Sequence, residues 1–346
     1  MHLIGISSAT PVATYSQKDC WDILCGSAAF NKLRPRSQDI LKKVLLNDNG
    51  IQQRHFAFPD IENVFDQDAE ALNRAFEKLA PELAEGALTE ACEAADMKVT
   101  DLDGLIVATC TGYICPGISS HLAERIGLPA DRYLCDLVGH GCGAALPTLQ
   151  NAYHFLAANP DKRIAAIQVE VCSAAFYLDN DVGVLISLCL FGDGAAASIW
   201  TGGDPRGHPE ILGFENLHLP QHRDLLRFEN KRGKLRNLLD RSVPEIAGMA
   251  VAELNQSMER RLGSQPDQLL AHPGGRDVIN AIEEQLSNFD YSITRSILAE
   301  HGNMSSPSVI FALKQFLKNR EGGPEIVDLT AFGAGFTAYM GRLRLQ

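Results

Sequence analysis

Three side chains able to do chemistry stand where the chain turns. Cys142 lies in 134-LCDLVGHGCGAALPTLQNAYHFL-156, between glycines, ahead of a run with helical spacing. That run places apolar residues at Ala145, Leu146, Leu149, Ala152, Tyr153, Leu156 and Ala157, and ends at Asn159-Pro160. His272 closes the apolar run 268-QLLAH-272 and precedes Pro273-Gly274-Gly275. Asn303 lies in a Gly-Asn turn before Ser306-Pro307, which reads as a serine N-cap with proline at the first helical position. A cysteine at a helix entrance meets free N–H groups and the positive end of the helix dipole, and both favour a thiolate. Histidine is its usual base or ion-pair partner, and an amide N–H beside that histidine can help hold an oxyanion. Each residue alone has a plainer reading: a small buried thiol, a histidine satisfied by local backbone, a turn asparagine. Together they form a Cys–His–Asn set at three predicted helix entrances. Their spacing leaves open whether they converge.

The elements that must position them alternate. Residues 2–11 read as a strand and a proline turn, 18–45 and 66–97 as helical, with Pro81 and Gly86 as interruptions of the second. Residues 103–112, 163–173 and 194–202 read as buried strands, and 119–126 as a helix. The polar segment 203–234, rich in Gly, Pro and His, is the expected boundary between halves at 1–205 and 206–346. A helix over 243–262, the strand 268–272, helices over 276–287 and 307–318, and a strand pair around 325–345 complete the chain. Strands alternating with helices imply an α/β architecture with buried sheets.

Composition narrows the class. The 346 residues are 45% hydrophobic and 21% charged, values of a globular protein with a real core. A net charge of −12 argues against nucleic acid as the main partner. The nine cysteines include no C-x2-C pair of the kind that suggests a zinc site. No apolar run reaches the roughly 18 residues of a membrane span, and MHLIGISSATP lacks the pattern of a signal peptide. The reading is a reduced, cytoplasmic protein with no membrane segment.

In this order, IGISSATP, GHGCGAALPTL, 187-SLCLFGDGAAASIW-200, AHPGG, HGNMSS and 331-AFGAGFT-337 resemble the motifs of type III polyketide synthases, the chalcone-synthase-like branch of the thiolase superfamily. The resemblance implies a duplicated five-layer αβαβα thiolase fold, a homodimer, and decarboxylative Claisen condensation. Its substrates would be a starter acyl-CoA and malonyl-CoA, with no further cofactor. It assigns Cys142 as the acyl-carrying nucleophile. His272 and Asn303 become the pair that activates it, drives malonyl decarboxylation and binds the oxyanion. Phe191 matches a phenylalanine that orients the malonyl group, and Ser305 a small pocket residue. Cys110, Cys115 and Cys172 align with pocket positions, Cys115 on a loop directed to the partner subunit's cavity. Gly335 falls in the glycine-rich GFGPG-like loop.

The sequence also departs from that pattern. Ala331 and Ala334 replace a glycine and the proline of the loop. The second gatekeeper phenylalanine is missing from 234-KLRNLLDRSVP-244, where Arg236 or Asn237 stands instead. Lys42, Lys43 and Arg54 are the candidates for coenzyme A contacts, but Asp48 occupies one expected basic position, so an acyl-carrier-protein donor stays open. Two other readings share the residues. One is a β-ketoacyl-carrier-protein synthase III-like enzyme making one condensation. The other is a Cys–His–Asn thioester hydrolase, which lacks here the C-G-[SA]-C-[WY] signature. An inactive thiolase-fold scaffold is disfavoured by retention of all three residues.

Overall fold

The first half of the chain, in the computed structural model, forms β1 (His2–Ala9), β2 (Thr14–Ser16), α1 (Gln17–Gly26), α2 (Pro35–Leu46), β3 (Gln53–His55), α3 (Ala69–Ala94), β4 (Gly104–Ala108), α4 (Ile118–Arg125), β5 (Tyr133–Leu137), α5 (Ala145–Ala158), β6 (Arg163–Glu170), α6 (Val182–Leu190) and β7 (Gly194–Thr201). The second half forms β8 (Glu210–His218), the hairpin β9 (Leu226–Lys231) and β10 (Lys234–Leu239), α7 (Val243–Leu262), β11 (Gln268–Ala271), α8 (Arg276–Gln285), α9 (Ser292–His301), α10 (Ser308–Asn319), β12 (Glu325–Gly333) and β13 (Thr337–Leu345). The structure describes residues 1–203, 205–323 and 325–346. Asp204, in the segment expected to join the halves, lies outside the described residues.

The sheet runs β11-β12-β13-β8-β1-β7-β6-β4-β5, and β1 meets β8 at the pair His2–Glu210. One pairing scheme occurs twice. β1–β7 and β7–β6 are antiparallel and β6–β4 parallel; β8–β13 and β13–β12 are antiparallel and β12–β11 parallel. In chain order α3, α4 and α5 of the first half therefore correspond to α7, α8 and α10 of the second.

Side-chain alternation along the strands sets the layers. Leu105 and Val107 of β4 face a cluster with Phe76, Leu88, Ile118 and Leu122 from α3 and α4. Ile106, between them, faces Leu146 and Leu149 of α5 together with Ile310 and Leu313 of α10. Leu270 of β11 faces that same central cluster, while Leu269 and Ala271 face Val251, Leu254 and Ile282 of α7 and α8. The order is helix, sheet, helix, sheet, helix: the duplicated αβαβα thiolase fold. Each fully buried Leu or Ile contributes about 1.5–3 kcal/mol relative to exposure, which holds α5 and α10 between two apolar sheet faces.

Several local expectations are corrected. Residues 18–45 break into α1 and α2, with Ser16 capping α1 and Pro35 starting α2. Pro81 and Gly86 do not interrupt α3, whose buried face packs continuously along the sheet and overrides the local cost of proline. The strand expected at 194–202 is β7, and the residues before it in 187-SLCLFGDGAAASIW-200 end α6, an unexpected helix. The segment 203–234, expected to hold the boundary between halves, also contains β8 and β9. The helix α6, VGVLISLCL, is apolar all round and shows no periodicity to read.

Candidate active site

The end of β12 touches two of the three candidate residues' supports. His272 follows β11 and its N–H donates to Thr330 O at 2.8 Å; its ring lies edge-on to Phe332, 5.5 Å between centroids. The next residue of β12, Gly333, abuts the turn that carries Cys142. A Cβ on Gly333 would lie 2.1 Å from His140 O, and one on Gly143 would lie 2.8 Å from the Tyr339 ring. Only glycines permit this approach, which explains the small residues flanking Cys142. The third residue arrives from α9. Asn303 sits in a parallel bridge with Phe191, its Nδ2 donates to Gly274 O at 3.0 Å, and its Oδ1 accepts Ser305 N–H at 2.7 Å. Its amide is thereby oriented, with one Nδ2 hydrogen left over. Ser305, in the left-handed region at φ 61°, donates its hydroxyl to Cys142 Sγ at 3.2 Å. Cys110 Sγ lies 3.0 Å from the same oxygen, so it is the Cys110 thiol that donates to Ser305.

Cys142 occupies the short turn Gly141–Gly143 ahead of α5 and is buried. Burial pushes its thiol up to about 12, against the lowering by Ser305. The benefit expected of a helix entrance is outweighed by desolvation. His272 is 1% exposed, and burial pushes its imidazole down to about 3. Neither ring nitrogen has a hydrogen-bond partner among the described residues. Buried polar atoms are nearly always paired, so these two nitrogens await a substrate or water. Cysteine and histidine are both neutral at rest.

Sequence reading missed Glu170. It ends β6, is fully buried, and accepts hydrogen bonds from Thr109 Oγ1, Cys110 N, Thr111 N and Oγ1, and Ser306 Oγ. Burial raises its carboxyl, and these donors oppose the rise. A lone acid in the apolar strand RIAAIQVE was the available signal. Ser306 spends its hydroxyl here, so it is not the cap of α10; that helix begins at Ser308 after Pro307.

Two cavities that share lining residues lie beside residues next to the cysteine, Ser305 in one and Gly141 in the other, although Cys142, His272 and Asn303 line neither. The smaller, about 40 Å³, is lined by Cys110, Cys172, Phe191, Ser305 and Asn237, among others. The larger, about 540 Å³, shares Cys110 and includes Gly141, Ala334 and Gly335. Asn237, not Arg236, faces the smaller cavity; Arg236 points the other way and pairs with Asp181 and Glu229. Cys115 is exposed and lines neither cavity of its own chain.

Arg54 is a correction. It is 1% exposed, and its guanidinium donates to Gln17 Oε1, Leu188 O and Phe191 O. It holds the end of α6 and the backbone of Phe191, and has no surface to offer coenzyme A. Lys42 and Lys43 are exposed on α2.

A doubled thiolase fold with a cysteine, a histidine and an asparagine at its centre defines a thioester-condensing enzyme. Residues 16–207 match the model of the FAE1/Type III polyketide synthase-like proteins, and residues 218–341 that of the chalcone and stilbene synthases, C-terminal domain. The chain belongs to the type III polyketide synthase family. It is an acyltransferase of the decarboxylative Claisen kind, and its family uses acyl-CoA and malonyl-CoA substrates. It is 28% identical to a 1,3,6,8-tetrahydroxynaphthalene synthase of Streptomyces peucetius subsp. caesius, over 98% of this chain and 92% of that one. It is 27% identical to a phloroglucinol synthase of Pseudomonas fluorescens, over 87% and 88%. Its fold superposes on polyketide synthase PKS-I of the brown alga Ectocarpus siliculosus with a TM-score of 0.92, at 22% identity, covering 99% of this chain and 98% of that one.

Proposed function

We propose that Cys142 carries the starter acyl group and that His272 and Asn303 serve both half-reactions. The observation that carries this reading is the buried, unpartnered imidazole of His272 beside an asparagine with an uncommitted N–H. His272 takes the Cys142 proton as the sulfur attacks the starter thioester. The thiolate and imidazolium so formed offset each other's desolvation. Coenzyme A leaves as a thiol, taking that proton. Malonyl-CoA then loses carbon dioxide, and the electrons of the broken C–C bond form an enolate. The enolate oxygen is held by His272 N–H and Asn303 Nδ2–H. The enolate carbon attacks the acyl carbonyl on Cys142, and the thiolate leaves. No further cofactor takes part.

Repeated extension gives a pyrone, resorcinol or other small polyketide; the similarity to synthases of 1,3,6,8-tetrahydroxynaphthalene and phloroglucinol supports this over a single condensation. Phe191, Ser305, Cys110 and Cys172 line the acyl cavity, and Gly335 the larger cleft. Lys42 and Lys43 are offered as coenzyme A contacts in a cytoplasmic enzyme of halves 1–205 and 206–346, with a carrier protein as the other donor. A homodimer is supported by the edge strand β5, where Tyr133, Leu134 and nearby Tyr113 and Val138 are exposed. No helix among the described residues is long and apolar enough to cross a membrane.

Incubation with malonyl-CoA and a panel of acyl-CoAs, read by mass spectrometry, tests the reading. The expected result is an acyl adduct on Cys142 and products of more than one extension. Release of free acid without malonyl dependence would overturn it.

A further inference from the structure

The smaller cavity is mostly apolar; the hydroxyls of Thr111, Ser187 and Ser305 in its lining are hydrogen-bonded, and two other side chains of the lining carry buried polar atoms with no partner among the described residues. Asn237 is 4% exposed and Tyr177 is 8% exposed, and both line it. Asn237 Oδ1 and the Tyr177 hydroxyl have no hydrogen-bond partner among the described residues.

The orientation of Asn237 is set by its neighbours. Ser187 Oγ donates to Gly183 O at 2.7 Å, so its oxygen is free only to accept. Asn237 must turn its NH2 toward Ser187, at 2.8 Å, which leaves Oδ1 as the unmatched end. Its backbone is held as firmly. A Cβ on Gly183 would lie 2.2 Å from Asn237 O, so α6 presses directly on β10 at this residue. On the opposite face of β10, Arg236 ties the hairpin to Asp181 at the start of α6. Phe228, the cross-strand partner of Asn237, lines the same cavity.

An unmatched buried carbonyl oxygen or hydroxyl is costly, because its desolvation is not repaid by a hydrogen bond. No charged side chain lines the cavity, so nothing there would neutralise a carboxylate. We propose that Asn237 Oδ1 and Tyr177 OH are a recognition pair for a neutral, oxygen-bearing acyl chain carried on Cys142. Oδ1 accepts from an enol or phenol hydroxyl, and Tyr177 OH donates to a keto oxygen. The pair selects against plain alkyl or aryl chains, whose binding leaves both polar atoms unpaired. This rests on the acyl-carrying role of Cys142 proposed above.

The test compares kcat/KM for malonyl-dependent extension within matched pairs: acetoacetyl-CoA against butanoyl-CoA, and 4-hydroxyphenylacetyl-CoA against phenylacetyl-CoA. The wild-type enzyme is expected to prefer the oxygenated member of at least one pair by about tenfold. In Asn237→Leu, which keeps the branched shape and heavy-atom count of the side chain, and in Tyr177→Phe, which loses only the hydroxyl, that ratio falls toward one. No preference in the wild type, or a ratio that survives both substitutions, overturns the proposal. Intact-protein mass spectrometry separates the two readings. Absence of any Cys142 acyl adduct defeats the parent mechanism, whereas equal loading and extension of both members of each pair defeats only the recognition pair.

Discussion

The Ser305 hydroxyl donates to the Cys142 thiol across 3.2 Å while receiving the Cys110 thiol at 3.0 Å. It is the one side-chain hydrogen bond to the nucleophile's sulfur among the described residues. It stabilises a thiolate more than a thiol. Ser305→Ala is expected to slow alkylation of Cys142 by iodoacetamide at pH 8 about 3- to 10-fold, corresponding to 0.5–1.5 kcal/mol. Peptide mass spectrometry of timed samples measures it. An unchanged rate would mean that the hydroxyl does not bear on the thiolate.

Asn303 offers a spare N–H where an enolate oxygen must sit, and its other contacts hold it in place. Asn303→Asp replaces that donor by a negative charge and sets a carboxylate against Gly274 O. Malonyl decarboxylation, followed as carbon dioxide release, should fall by about 10²–10³ in kcat, with a smaller change in KM. A loss confined to KM would argue for a binding role alone.

Burial holds the His272 imidazole near 3 in the folded chain, against about 6.5 when unfolded. Between these values the unfolded state binds the extra proton, so stability falls as pH drops through 6.5. From pH 7 to pH 5 this residue alone costs about 2 kcal/mol. Urea midpoints of the wild type and His272→Gln at the two pH values check it. The variant should lose less on acidification, and equal losses would contradict the depressed imidazole.

Arg342 and Asp328 pair across β12 and β13 through two contacts of 2.7 Å, both side chains fully buried. Arg342→Met strands the carboxylate and should destabilise by about 3–5 kcal/mol in urea unfolding. The double variant Arg342→Met/Asp328→Leu should recover much of that loss. If it proves no better than the single variant, packing rather than charge accounts for the effect.

Much of this enzyme was legible in one dimension because its chemistry sits beside turns. GHGCG and AHPGG mark sites where a strand stops and a helix begins, HGNMSS marks the turn between α9 and α10, and the turn residues that permit this are local signals. The helix 243–262 and the strand at 268–272 were equally plain, from amphipathic spacing and an apolar run. Where a segment is apolar on every side, as in α6, spacing carries no signal, and only packing decides between helix and strand.

The sequence by itself determined the inventory: a cysteine, a histidine and an asparagine at three chain reversals in an alternating α/β chain. Tertiary structure decided their state and their surroundings. It buried Arg54 behind Phe191, brought Glu170 beneath the site as an acceptor for five donors, and turned Asn237 rather than Arg236 into the cavity. It also reversed the expected electrostatics of Cys142. The helix entrance is a local feature that favours the thiolate, but desolvation depends on everything packed around the sulfur, and that is written in no single stretch of the chain.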